Sequence, residues 1–468
     1  MKSFDILVVG DGLSSLLFCY GFQQNKKVKV DVLSPNFKNE LTDQNYKIKD
    51  KLKIPYHFTS QKNIRDIKNY FVANKITFDK KKLEICGILG KGGLSNYWGA
   101  QVDLNNTEDL NFLGKSKLNK IKKIIHEFKD YKKIFCNLKV KQNELLFGNK
   151  NLQNYFFEEK INNLNIKYPT LAYHNLVKLS AESFKKKFIN NQQFRFHNYC
   201  LDKILRKNKN YLEILVTDPR GNKEKFKTQY LILGCGTIIT TKLVLEYLKI
   251  KEKVRIYHHP RQIVVSVCNR LFSKNDKIVS QVYFEDKKKN FLIDFRPGNV
   301  KILKSINYHL FKYDLVISFF NLLLFPFRKI FTCFIFSNLL LGPEKSQIFM
   351  QLKKDTFYLS SKKDLKINFS KFKKIIKKTF LLRKIRIFNT FFPNSMLGND
   401  YHYFGSLRAD FKKSLIDKES RLKKNKNIIV CDGSNTYFKK NKFPLGIIMA
   451  NSYRLGRNFN FKKTINNK

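Results

Sequence analysis

The amino-terminal stretch FDILVVGDGLSSLLFCYGFQQNKKVKVDVLSP does most to limit what this chain can become. A β-branched run, Ile6 to Val9, reads as a strand buried on both faces. Gly10-Asp11-Gly12 supplies a tight turn, residues 13–24 read as a helix, and VKVDVL, residues 28–33, reads as a second strand. Strand, glycine turn, helix and strand in this order make G-x-G-x-x-G credible as a dinucleotide-binding unit. The free amides and positive dipole end of the helix, at Gly12, Leu13 and Ser14, would face a pyrophosphate. Two positions depart from the pattern. Ser15 stands where the third glycine is expected, and it is small enough for close helix–strand packing. Ser34 stands where an acidic residue would bind a ribose hydroxyl, with Asp31 inside the strand. The motif alone does not separate FAD from NAD(P), and a βαβ unit that binds nothing is the bland alternative.

The same logic recurs in the middle of the chain. NYLEILVTDPRGNKEKF reads as a hairpin turning at residues 218–221. It leads into a buried strand, Tyr230 to Leu233, a small-residue turn through Gly236, and a helix over 238–248. Near the other end, YHYFGSLRAD carries an isolated His402. Ile428 to Cys431 reads as a short strand, Asp432-Gly433-Ser434 as a turn, and Pro444 as the first residue of a helix whose apolar face is marked by Leu445, Ile448, Met449 and Ser452.

Composition bounds the class. At 468 residues and 43% hydrophobic content the chain can bury a sizeable core. Its net charge of +54 invites a nucleic-acid or anionic-membrane reading. The lysines, however, are spread along the whole chain together with abundant Asn, Ile and Phe. That reads as the imprint of an A+T-rich genome rather than a nucleic-acid-binding arm, although the charge still favours anionic substrates and membrane surfaces. The eight cysteines form no CxxC pair and several sit in apolar runs, which points to a reduced, cytoplasmic setting without a zinc site. The eight histidines show no metal spacing, and His258-His259 cannot both point one way from a strand. Asp5, Gly10, Asp11 and Gly12 interrupt the apolar amino terminus, so it reads as mature structure rather than a signal peptide.

With these residues in view, the sequence resembles the glucose–methanol–choline (GMC) oxidoreductases, most of all their divergent bacterial members related to sugar oxidoreductases. GDGLSS resembles their FAD turn, GGLSNYWGA their flavin-contacting Gly-Gly-x-Ser loop, HYFGSLR their His-x-x-Gly-Thr/Ser signature, and VCDGSNTYF with FPLGIIMANSYRLG their terminal strand and helix. The resemblance covers about a third of the chain. It implies an α/β protein: an FAD-binding, Rossmann-like (two-dinucleotide-fold) domain from residues 1–110, 190–265 and 395–468, with a discontinuous α+β substrate domain from 111–189 and 266–394.

By resemblance, Gly92 and Gly93 let the backbone approach the flavin ring, with Ser95, Asn96, Tyr97 and the sole tryptophan, Trp98, around it. Trp98 as a core anchor beside a turn is the plainer reading. Tyr97 stands where some sugar-oxidising relatives carry a flavin-linked histidine, which implies dissociable, noncovalent FAD. Gly236, Asp432, Gly433, Pro444 and Leu445 complete the implied cofactor contacts. The implied reaction is oxidation of a CH–OH group with a hydride passing to the flavin, and His402 is the implied base. Relatives place a second His or Asn before the Pro of the last helix. Phe443 stands there instead, leaving Tyr97, Tyr401 or the out-of-register Asn441 as candidate assistants. A redox-neutral sugar isomerase or mutase is the second enzyme reading, and a non-catalytic basic protein at a membrane or on RNA is the third. The expected substrate is a sugar, alcohol or lipid-linked glycoconjugate, and nothing in the residues specifies an electron acceptor. Residues 314–343, the most apolar stretch, are split by Arg328-Lys329 into arms too short to span a bilayer. They fit either a helical hairpin at an anionic membrane surface or a buried helix pair.

Overall fold

The computed structural model describes residues 1–23, 28–38, 61–98, 101–102, 119, 159–161, 164–167, 170–171, 173–174, 177–186, 188, 191–207, 211–269, 280–284, 291–297, 334–362, 369–381, 386–392, 395–408, 414–439 and 443–461. Strand β1 (Lys2–Val9) leads through the glycine turn into helix α1 (Leu13–Phe22) and then β2 (Val30–Leu33). Helix and strand are each two residues shorter than the sequence suggests. The middle of the chain adds β3 (Phe194–His197), β4 (Cys200–Lys207), β5 (Leu212–Thr217) and β6 (Lys223–Leu233), followed by α2 (Thr237–Tyr247). The polar return arm of the hairpin and the apolar run after it form one continuous strand, β6. Its first half pairs with β5 and its second half is buried between parallel neighbours.

A second, seven-stranded antiparallel sheet contains β7 (Arg261–Cys268), β8 (Phe291–Pro297), β9 (Phe334–Leu341) and β10 (Ile387–Phe391) in the order β10-β7-β9-β8, continued by strands over 280–284, 164–167 and 159–161. Part of the expected helical hairpin is therefore corrected. Phe334–Leu341 is a strand hydrogen-bonded on both edges, by β7 and β8. Aromatic and apolar residues in both faces of a pleated strand produce the same unbroken run that a buried helix does. Residues 314–333 lie outside the described residues. Among the described residues no helix is long and apolar enough to cross a membrane.

Strand β11 (Asn425–Val430) and helix α3 (Leu445–Arg457) then return to the first sheet. The order β3-β2-β1-β6-β11 is parallel throughout, with β5 and β4 antiparallel at the other half of β6. This is a Rossmann-like α/β fold. Side chains alternate across its central strands, so both faces are covered. Ile6, Val8, Ile232 and Ile429 pack towards α1 and α3, whereas Leu7, Val9, Leu231 and Val430 pack towards α2. Helices α1 and α3 touch through their backbones. A Cβ on Gly21 would lie 2.2 Å from the Tyr453 carbonyl oxygen, and one on Gly456 would lie 2.0 Å from that of Phe18. Only hydrogen at both positions permits this approach. It locks together the two helices whose amino termini face the site.

Candidate functional site

Parallel strands place their carboxyl ends on one edge, where open α/β sheets leave a crevice. Here Val9, Leu33, Leu233 and Val430 end together, stitched by Gly10 N–H to Leu33 O, Gly234 N–H to Val9 O and Cys431 N–H to Leu233 O at 2.8–3.0 Å. A cavity of about 580 Å³ opens at this edge. Gly10, Gly12, Ser14, Gly92, Gly93, Ser95, Tyr97, Trp98, Gly236, His402, Asp432, Gly433, Pro444 and Leu445 all line it. Five stretches far apart in sequence are thus brought to one space. Leu13, Ser15, Ser34 and Asn96 do not line it, and Asn441 lies outside the described residues.

The exceptions have structural reasons. The Leu13 side chain is buried in the core and its amide donates to Ser95 Oγ at 3.1 Å, which ties the Gly-Gly loop to the start of α1. Ser15 is fully buried and donates to the Gly234 carbonyl at 3.0 Å, cementing α1 against the β6 turn. The Asn96 side chain turns away, donating to Lys91 O at 2.7 Å and accepting the Glu182 amide at 3.2 Å. The Ser34 hydroxyl donates to Asp11 Oδ2. Asp31, the acid of β2, is consumed by strand pairing, with Arg195 at 2.8 Å and His197 at 2.6 Å on β3.

Asp11 is a residue that the sequence pattern does not single out. Its Oδ1 accepts the Gly92 amide at 2.7 Å, and its Oδ2 meets Lys185 Nζ at 3.0 Å. Asp11 thus ties the glycine turn to the Gly-Gly loop, to Ser34 and to Lys185. Asp432 plays the matching part at β11. It accepts the Gly236 amide and the Thr240 hydroxyl on one oxygen, and the Ser434 amide and hydroxyl on the other. Burial raises its carboxyl, and these four donors oppose that rise. Tyr97 donates to Asn63 at 2.6 Å, and Trp98 Nε1 donates to the Leu179 carbonyl at 2.8 Å. Trp98 is therefore both a packed anchor and a wall of the cavity.

Asp400 and His402 line the cavity and belong to a cluster of histidines that the chain order conceals. His258 and His259 follow the strand Val254–Ile256 and are completely buried on either side of Asp400. His258 Nδ1 donates to Asp400 Oδ1 at 2.7 Å, and the His259 amide donates to Oδ2 at 3.1 Å. His402 Nδ1 lies 3.8 Å from the same Oδ2. Burial alone would raise the Asp400 carboxyl, but His258 first, then His402 and His259, outweigh it and hold its pKa at about 2. Burial lowers His259 to about 3, so that ring is neutral. His402 reaches the cavity beside Phe443, their rings edge to face at 6.1 Å. The acid two residues before His402 was the available sequence signal for this support.

The residues fit a dinucleotide. The amide of Ser14, a cavity residue at the start of α1, has no hydrogen-bond partner among the described residues. A Cβ on Gly10, which sits at φ +94°, would lie 2.8 Å from the Gly234 carbonyl oxygen. The result is a tight turn with a donor left to a ligand. No family model matches the chain, and no curated protein is similar to it at a significant level. Among solved structures it is similar to pyridoxine 4-oxidase from Mesorbium loti. The TM-score is 0.61 at 10% identity, covering 97% of this chain and 99% of that one. The likeness extends over nearly the whole of both chains and shows a shared fold.

Proposed function

We propose that this chain is a flavin-dependent oxidoreductase that holds FAD noncovalently and oxidises a CH–OH group, on an alcohol of the sugar or glycoconjugate class. The observation that carries this reading is His402, facing the same cavity as the Gly10–Gly12 turn and backed by a carboxylate that stays ionised. The Ser14 amide would hold the pyrophosphate, Gly92 and Gly93 would border the ring, and the start of α3 at Pro444 would face its pyrimidine edge with a positive dipole end. When bound, the flavin supplies the hydride acceptor.

The chain's own residues supply the rest. His402 Nδ1 lies on the Asp400 side, so Nε2 takes the substrate hydroxyl proton. The resulting imidazolium is stabilised by Asp400 Oδ2, which is itself fixed by His258 and the His259 amide. Phe443 carries no proton and closes that side of the cavity against water. The same residue favours one second reading, a redox-neutral isomerisation of a sugar, because a single base then has no proton-handling neighbour before Pro444.

A visible spectrum before and after acid precipitation tests the cofactor, and anaerobic bleaching of the bound flavin by alcohols tests the chemistry. His402→Ala is expected to keep the flavin and slow bleaching about 10²–10⁴-fold. Unchanged bleaching would remove His402 from the reaction. A protein that cannot be reconstituted with FAD would overturn the proposal.

A further inference from the structure

Arg261 opens β7, in register with Leu340 of β9, and it lines the cavity with Asn338 and Leu340 on the wall formed by the second sheet. Its Nε is shielded from solvent and has no hydrogen-bond partner, and its guanidinium forms no ion pair with any described carboxylate. The ring of Tyr401 lies 5.6 Å from it. The acids flanking this segment are committed elsewhere. Glu84 accepts the Tyr401 hydroxyl at 2.5 Å, and Asp400 spends its oxygens on His258 and the His259 amide. By contrast Arg65, Arg195 and Arg454 each meet a carboxylate. A guanidinium nitrogen shielded from water with no partner is costly. Its rigid fork matches an oxyanion.

We propose that Arg261 is the anion-recognition residue of the substrate site and that the alcohol oxidised here carries a carboxylate or a phosphate. This rests on the oxidoreductase reading and narrows its substrate class. A net charge of +54 raises the local concentration of such anions around the entrance. Asn338 lies beside Arg261 on the same wall.

The test is calorimetric titration of the purified protein with gluconate, glucose 6-phosphate, and the neutral pair glucitol and glucose. Quenching of Trp98, the sole tryptophan and a cavity residue, serves as the local reporter. At least one anion is expected to bind tenfold or more tightly than its neutral partner, and to weaken as salt rises. Gluconate alone would assign a carboxylate, glucose 6-phosphate alone a phosphate, and both a site that reads either. Arg261→Ala should erase the preference while circular dichroism and flavin content stay unchanged, and Arg261→Lys should restore part of it. Equal binding of neutral and anionic probes, no saturable binding of either anion, or an unchanged preference in Arg261→Ala would overturn the proposal. Loss of flavin from Arg261→Ala would do so as well, by placing the guanidinium on the cofactor. A protein that takes no flavin yet binds anions through Arg261 would refute the oxidoreductase reading and leave the anion site standing.

Discussion

Replacing Asp400 by asparagine separates the charge of this carboxylate from its shape. Its pKa is held at about 2 against an ordinary 3.8. A depressed folded-state value means stability that is complete above the unfolded value and is lost as pH falls through the folded one. At about 1.36 kcal/mol per unit, the ionised group contributes ~2.5 kcal/mol at pH 7, roughly half of that at pH 3, and almost nothing near pH 2. An unfolding entropy of about 2.1 cal/mol/K per residue converts the pH 7 value into a Tm loss of roughly 2–3 °C for a chain of this length. Thermal melts of the wild type and Asp400→Asn at pH 7, 5, 4 and 3 should show that gap narrowing as the buffer acidifies. A gap that stays constant would show that packing, not charge, accounts for the loss. A variant as stable as the wild type at pH 7 would show that burying the carboxylate costs as much as its histidines return. The same substitution removes the charge 3.8 Å from His402. His402 is 29% exposed, so screening leaves about 1–2 kcal/mol of this interaction, or roughly a tenfold slower reduction of bound flavin.

Gly456→Ala would drive a methyl into the Phe18 carbonyl where α1 and α3 meet. Overpacking of this kind costs ~3 kcal/mol. Both a lower Tm and weaker flavin retention are expected, because both helix termini at the cavity shift, and an unaltered melt would refute the close crossing. The six described thiols, Cys19, Cys86, Cys200, Cys235, Cys268 and Cys431, are free, and all but Cys235 are buried. Burial lifts the Cys200 thiol to about 12 and pushes Cys235 up as well. In the folded holoprotein at pH 8 none of the six should react with an aromatic disulfide within minutes, by peptide mapping. Removing the flavin should expose Cys235, which lines the cavity. Rapid labelling of Cys19 or Cys431 would contradict the packing of α1 and β11.

Local pattern decided the parallel strands, the glycine turns and the helices that follow them. Each depends on neighbours in sequence: a β-branched run, two glycines, a proline at a helix start. The hairpin at residues 218–221 and the strand ending at Leu233 were legible for the same reason. The aromatic run at Phe334–Leu341 was not, because an unbroken apolar run lacks the periodicity that separates strand from helix, and only pairing with β7 and β8 settled it. The candidate site divides along the same line. His402, Gly93 and Gly433 could be named from motifs, but which side chains turn into the cavity could not. Asn96, Ser15 and Ser34 carry the expected chemistry in the expected order, and each is drawn away by a partner 15 or more residues distant: Glu182, Gly234, Asp11. The buried acid shared by His258, His259 and His402, and the cation at Arg261, arise where two sheets meet. Residues more than 100 positions apart share that space, so their charges and hydrogen bonds are set by tertiary packing and leave no periodic trace in the chain.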